Sequence, residues 1–277
     1  MISGKTALIA HIGYPTSTFK APMIYNPYFE YRSIDAVVVP MGVKAENYEA
    51  VFRSIFSFTN IHGALITMPH KVSTLALLDG ASVTARIAGA VNAVRRDTDG
   101  SLVGDMFDGE GFVRGLATKG FKVAGGRALI VGAGGVGSAI AASLAAAGMA
   151  DFMLFDTNDA TAIALAERLR AHYPNLRVAT GDKDPAGCDL VVNATPLGMN
   201  AGDPMPVDVA RLDARTFVGE VVLKDEKTAF LQAAEACGCQ VQIGLDMLFE
   251  MIPAYLEFFG FETTTAEELR RLARIRY

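Results

Sequence analysis

Two residues offer this chain proton-transfer chemistry, a lysine and an aspartate set in short polar motifs. Lys71 closes the run Ile66-Thr67-Met68-Pro69-His70-Lys71, and Asp108 lies in Gly104-Asp105-Met106-Phe107-Asp108-Gly109, with Gly89-Ala90-Val91-Asn92 between them. Each motif falls at a predicted strand end or turn, where a rigid scaffold can present side chains to a ligand. Oxidising an alcohol by hydride transfer requires a group that takes the hydroxyl proton, and a Lys and Asp pair can do so while orienting the oxygen. Each also has a plainer use, Lys71 as a solvated lysine and Asp108 as the N-cap of a helix over 109–118. Linear spacing does not show that the two meet. Which of them is the base stays open, because a neighbouring carboxylate favours protonated lysine whereas desolvation favours the neutral amine.

A second constellation handles phosphate. Ala128-Leu129-Ile130-Val131 runs into Gly132-Ala133-Gly134-Gly135-Val136-Gly137 and then an alanine-rich helix, the strand, glycine turn, helix order of a dinucleotide site. Gly132 permits the turn, Gly134 lets backbone N–H groups approach a pyrophosphate, and Gly137 lets helix and strand pack closely. The next strand ends in Asp156, 19 residues beyond Gly137, where a carboxylate accepts from the ribose hydroxyls of NAD and repels a 2′-phosphate. No Lys or Arg lies between Asp156 and Arg168, so NAD is expected in preference to NADP. Asp156 has a competing role as cap of a helix over 158–170, and Asn158, kept with it as a cofactor-site candidate, can serve as that cap equally well.

The elements that must hold these groups follow from periodicity. From Thr6 to about Gly104, short β-rich runs (7–9, 36–39, 64–67) alternate with helical patterns such as 46–58, an α/β first domain. Runs at 128–131, 152–155, 177–179, 190–192 and 217–218 with helical segments between several of them read as parallel strands of a Rossmann domain. After 240–243 the pattern turns helical, with Met247, Leu248, Met251, Ile252 and Tyr255 on one face and Leu269, Leu272 and Ile275 following. The expected divisions are a substrate domain over 1–104, a cofactor domain over 105–242, and C-terminal helices over 243–277 that return to the first domain.

Composition narrows the partners. Among 277 residues, 30 acidic against 25 basic side chains without a cationic run give no electrostatic support for nucleic acid or a membrane surface, so a small molecule is the expected ligand. Three cysteines, Cys188, Cys237 and Cys239, are too few and too uneven for a disulfide framework and fall short of a zinc site, so no metal is expected. The first apolar run is too short for a secretory signal and the longest, 139–150, too short for a membrane span. The chain is expected to be cytoplasmic, with a homodimer as its candidate assembly.

Taken together, Gly13-x-Pro15, Pro22 and Asn26, Thr67 to Lys71, Ala88 to Val94, Gly104 to Phe112, the glycine turn, Asn193-Ala194-Thr195-Pro196-Leu197-Gly198-Met199 and Gly244-Leu245-Asp246-Met247-Leu248 resemble, in order, the motifs of the shikimate dehydrogenase family. The resemblance spans nearly the whole chain. It implies that Lys71 and Asp108 are the catalytic pair, that Thr67 and Asn92 contact substrate hydroxyls, and that Thr195, Leu197 and Gly244 line the nicotinamide half, with Asn193 a further cofactor-binding candidate. It further implies a substrate domain facing a Rossmann domain across a cleft.

The pattern also departs from that family. Where two serines precede the Pro of the carboxylate-binding segment, this chain has Phe19 and Ala21; the helical Gln is Met251, a Tyr is Leu223, and the Asn-Thr before the Asp is Met106-Phe107. Hydrogen bonds to a charged group contribute about 1.5 to 3 kcal/mol each, so losing two donors weakens carboxylate binding by roughly 10² to 10⁴. The expected substrate is therefore a shikimate- or quinate-like cyclic hydroxy acid or a related alcohol. The rival readings are a folate-type dehydrogenase, which the Asn92 and Asp108 motifs fit poorly, and an NAD-binding regulator without turnover, against which the retained Lys71 and Asp108 argue.

Overall fold

The computed structural model describes residues 2–223 and 227–275. It divides into two compact units, Met1–Phe107 with Ile252–Tyr277, and Asp108–Met251.

The first unit carries a six-stranded sheet made of β1 (Ala7–Gly13), β2 (Ala36–Gly42), β3 (Ile61–Ile66), β4 (Gly80–Ala81), β5 (Ala93–Arg96) and β6 (Leu102–Asp105), in the order β2-β1-β3-β5-β6-β4. All neighbours are parallel except β5, which runs against both β3 and β6. Ile9, Ala10 and Ile12 of β1 are fully buried, as a strand covered on both faces requires. Its helices are α1 (Pro22–Tyr31), α2 (Tyr48–Ile55), α3 (Lys71–Leu75) and α4 (Val83–Ala88). The expected helix over 46–58 is shorter. It starts as a 3-10 turn at Ala45–Asn47 and ends at Ile55, where the hydroxyls of Ser54 and Ser57 bond to the carbonyls of Ala50 and Ser54 and compete with the helical pattern.

The second unit holds β7 (Arg127–Val131), β8 (Asp151–Phe155), β9 (Arg177–Thr180), β10 (Leu190–Asn193), β11 (Phe217–Glu220) and β12 (Gln240–Gln242), all parallel, in the order β12-β11-β10-β7-β8-β9. Read from β9, this is the doubly wound dinucleotide order, whose switch point lies between β7 and β10. Helices α5 (Asp108–Thr118), α6 (Gly135–Ala146), α7 (Asp159–His172) and α8 (Ala229–Ala236) belong to it. On one side of the sheet Leu129, Val131, Val191 and Val218 pack with Phe230 and Leu231.

The C-terminal segment forms α9 (Gly244–Phe258) and α10 (Ala266–Leu272). The division between units falls inside α9, because its first part packs on α5: a Cβ on Gly111 would lie 2.6 Å from the Met251 Cβ. The remainder belongs to the first unit, where Phe29 meets Phe261 at 5.2 Å and the Tyr28 hydroxyl donates to the Glu262 carbonyl. Ile275 lies beyond α10 rather than on its apolar face. Ala273 leaves helical geometry, and the Arg274 N–H bonds instead to the Met23 carbonyl of α1. Among the described residues no helix is long and apolar enough to cross a membrane.

Candidate active site

In the first unit, the carboxyl ends of β1, β3 and β6 and the start of β5 gather Thr67, Lys71 and Asn92. Thr67 follows β3 and donates its N–H to the Ile12 carbonyl, and a Cβ on Gly13 would lie only 2.4 Å from the Thr67 methyl, so glycine is required there. His70 precedes α3 and is almost wholly buried. Its ring stacks on Tyr48 at 3.8 Å, its Nε2 pairs with the Val43 carbonyl at 2.8 Å, and its own carbonyl accepts from Thr74. Lys71, half-buried, is the next residue and the first of α3, and its carbonyl accepts from Val91. The backbone under the ammonium is thus held from both sides. Asn92 is 1% exposed; its Oδ1 accepts the Phe107 N–H, and its carbonyl accepts from Ile66 and, at 3.4 Å, from the Tyr255 hydroxyl.

Phe19 and Ala21 lie beside this group. Phe19 ends the 3-10 turn Thr16–Thr18 and stacks on His11 at 4.0 Å, while Ala21 precedes α1 without any side-chain cap. His11 was not among the residues singled out from sequence. It is 7% exposed, and its Nδ1 has no hydrogen-bond partner. Burial, and secondarily the charge of Lys71, lower its pKa from 6.5 to about 4, so the imidazole is neutral at physiological pH. Its signal in the sequence is a polar side chain interrupting the apolar run of β1.

In the second unit Asp108 is itself the first residue of α5, not a cap ahead of it, and is 3% exposed. A carboxylate there lies at the positive end of the helix dipole. Met251 contacts Gly111 one turn further along the same helix.

The glycine turn joins β7 to α6. Gly132 has φ +101°, and a Cβ on Gly137 would sit 1.9 Å from the Gly132 carbonyl oxygen, so neither position accepts a side chain. At Gly134, the N-cap of α6, a Cβ would meet nothing within 4 Å. Open space over an uncapped helix start, where backbone N–H groups converge, fits a pyrophosphate. The turn between Gly132 and Gly135 is tied down by Asp156, whose carboxylate accepts the Ala133 N–H at 2.8 Å and the Asn158 N–H at 2.9 Å. Capping of α7 falls to Asn158, which accepts the Ala160 N–H, and not to Asp156. Val136 lies half-buried in the first turn of α6. The chain after β9 brings Lys183 to 5.4 Å from the Phe155 ring, beside the end of β8. That cation was invisible in the sequence because only the pairing of β8 with β9 places it there.

Asn193, Thr195 and Leu197 form a closed turn after β10. The Asn193 amide donates to the Leu197 carbonyl and accepts from the backbone and hydroxyl of Thr195. This turn abuts the glycine turn, since a Cβ on Gly132 would meet the Ala194 carbonyl at 2.8 Å. Gly244 begins α9 against the Val222 carbonyl, 2.3 Å from where its Cβ would stand. Leu223, just beyond, is exposed.

Residues 11–94 match the family model described as the shikimate dehydrogenase substrate binding domain. Across 98% of its length the chain is 35% identical to a shikimate dehydrogenase (NADP(+)) of Rubrobacter xylanophilus, covering 97% of that protein. Among solved structures, shikimate 5-dehydrogenase from Listeria monocytogenes in complex with shikimate and NAD superposes with a TM-score of 0.91 at 28% identity, over 98% of this chain and 97% of that one. A 5-ketofructose reductase of Gluconobacter gives 0.88 at 27% identity, over 98% of each chain. Similarity of this extent and order of motifs establishes that the chain belongs to the shikimate dehydrogenase family and is an NAD(P)-dependent oxidoreductase acting on a CH–OH group.

Proposed function

We propose that this enzyme moves hydride between NAD and the carbinol carbon of a shikimate- or quinate-like cyclic hydroxy acid or a related alcohol, with Lys71 and Asp108 managing the hydroxyl proton. The first unit takes the substrate and the second the cofactor. The observation that carries this reading is the uncapped glycine turn pinned by Asp156, in a chain matched from end to end by shikimate dehydrogenases. When bound, the nicotinamide supplies the hydride acceptor or donor. Thr67 and Asn92 hold substrate hydroxyls, and the anchored start of α3 keeps the Lys71 ammonium within a small range of positions. Structural neighbours named for shikimate and for 5-ketofructose accord with a substrate range that extends to a related alcohol.

NAD is the proposed cofactor over NADP because Asp156 puts a negative charge at the end of β8, where a 2′-phosphate would lie. The relative from Rubrobacter is named for NADP(+) and the Listeria structure holds NAD, so kinetics decide. The purified protein is mixed with NAD or NADP and a panel of cyclic hydroxy acids and polyols, and nicotinamide reduction is followed by absorbance. Turnover with kcat/KM at least about tenfold higher for NAD is the expected result. Equal or higher efficiency with NADP overturns the cofactor assignment, and absence of turnover on the whole panel overturns the function.

A further inference from the structure

Glu220 is a buried carboxylate outside the reaction's own groups. It ends β11 and is 1% exposed, and a carboxylate taken out of water is costly unless hydrogen bonds hold it. The Thr228 hydroxyl donates to its Oε2 at 2.8 Å, while the same Thr228 oxygen accepts the Leu231 N–H and caps α8. Threonine makes that cap without help from a carboxylate. What Glu220 adds is a tie between the end of β11 and the start of α8. The tie backs the turn that follows β10. Asn193 stands opposite Glu220 in register, and its carbonyl accepts the Val221 N–H at 3.2 Å. At the far end of the turn, a Cβ on Gly198 would lie 3.1 Å from the Thr228 methyl. The turn is thus held at one end by β11 and at the other by the residue that Glu220 holds.

The strand order says what crosses this edge of the sheet. Neighbouring strands run β8, β7, β10, β11, with the proposed ribose acceptor Asp156 after β8 and the uncapped glycine turn after β7. A dinucleotide laid with its adenosine end at β8 and its pyrophosphate at the start of α6 extends its nicotinamide end over β10 and β11. We propose that Glu220 is a positioning residue for that end: by fixing Thr228 it fixes the 193–198 turn on which the nicotinamide rests. This rests on the hydride-transfer reading above and goes beyond it by naming a residue that acts without touching the cofactor. A carboxylate accepts a hydroxyl more strongly than a neutral oxygen does, so Thr228 is held firmly in one orientation. A turn freed of this tie samples more positions, and hydride transfer tolerates few of them.

The test compares NAD with ADP-ribose, which has the same adenosine and pyrophosphate and lacks the nicotinamide. Titration calorimetry measures both on the wild type, Glu220→Ala and Glu220→Gln. In Glu220→Ala the dissociation constant for ADP-ribose is expected to stay within about twofold of the wild type, that for NAD to rise about fivefold, and kcat to fall about tenfold. Glu220→Gln, whose amide oxygen still accepts from Thr228, falls between the two. Thr228→Val breaks the same bond from its other partner and gives the same selective loss, and adding it to Glu220→Ala costs little more. It also carries the test if Glu220→Ala does not fold. A purely structural role moves both ligands together. Equal weakening of NAD and ADP-ribose, no change in either with kcat intact, or full additivity in the double variant overturns the positioning role and leaves the hydride-transfer reading standing. A folded wild type that binds neither ligand and turns over no panel member overturns both.

Discussion

At the scale of single residues, Lys71 and its neighbour His70 have separable jobs. His70 is buried, and its Nε2 engages the Val43 carbonyl, so His70→Leu leaves that carbonyl unpaired at a cost of about 1 to 3 kcal/mol. The start of α3 would shift with it. Lys71 is half-buried, and replacing it with Ala removes the proposed proton-handling group and leaves that anchor in place. Lys71→Ala is therefore expected to lose about 10² to 10⁴ in kcat with its urea midpoint nearly unchanged, whereas His70→Leu loses stability and activity together. A Lys71→Ala enzyme retaining more than a tenth of the wild-type kcat would remove the lysine from the mechanism. Asp156 holds the Ala133 N–H and, in the proposed NAD site, would also set the charge near the ribose. Asp156→Ala should raise the KM for NAD and narrow the gap to NADP, checked by comparing kcat/KM for both cofactors.

Between β7 and α6, two glycines respond oppositely to the same methyl group. Gly137→Ala drives a Cβ to 1.9 Å from the Gly132 oxygen, and relieving that clash means moving the helix off the strand, an overpacking cost of at least about 1 to 3 kcal/mol. Gly134→Ala meets nothing, and its φ of −68° suits alanine. The first variant is expected to lower the unfolding temperature and the second to fold normally while binding NAD more weakly, because its methyl occupies the space over the helix start. Calorimetric titration with NAD and a thermal melt on both variants separate the two effects. The order strand, glycine turn, helix was legible because each part depends on a local run of residues. So was Asp156, at the end of the next apolar run. The approach of Lys183 to Phe155 was not, since it depends on strand pairing, and the early end of α2 turned on serine hydroxyls whose choice of carbonyl no periodicity announces.

For the whole molecule, the two-unit α/β architecture could be anticipated from alternating periods, but the antiparallel β5 and the division within α9 could not, because both arise from packing among distant segments. The same is true of the buried imidazole, which ties the fold's stability to pH. His11 in the folded protein has its pKa lowered from 6.5 to about 4, first by burial and then by Lys71. Below 6.5 the unfolded chain takes up a proton on this residue that the folded chain refuses until about pH 4. The stabilisation from keeping His11 neutral is thus complete above pH 6.5 and falls as the pH drops through that window; the loss reaches about 3 kcal/mol at most. In His11→Leu this component is absent while every other group is common to both proteins, so the difference between the two isolates it. Urea unfolding from pH 7.5 to 4.5 should show the wild type losing more stability on acidification than the variant. Parallel profiles would mean that the imidazole meets water or a proton donor in solution.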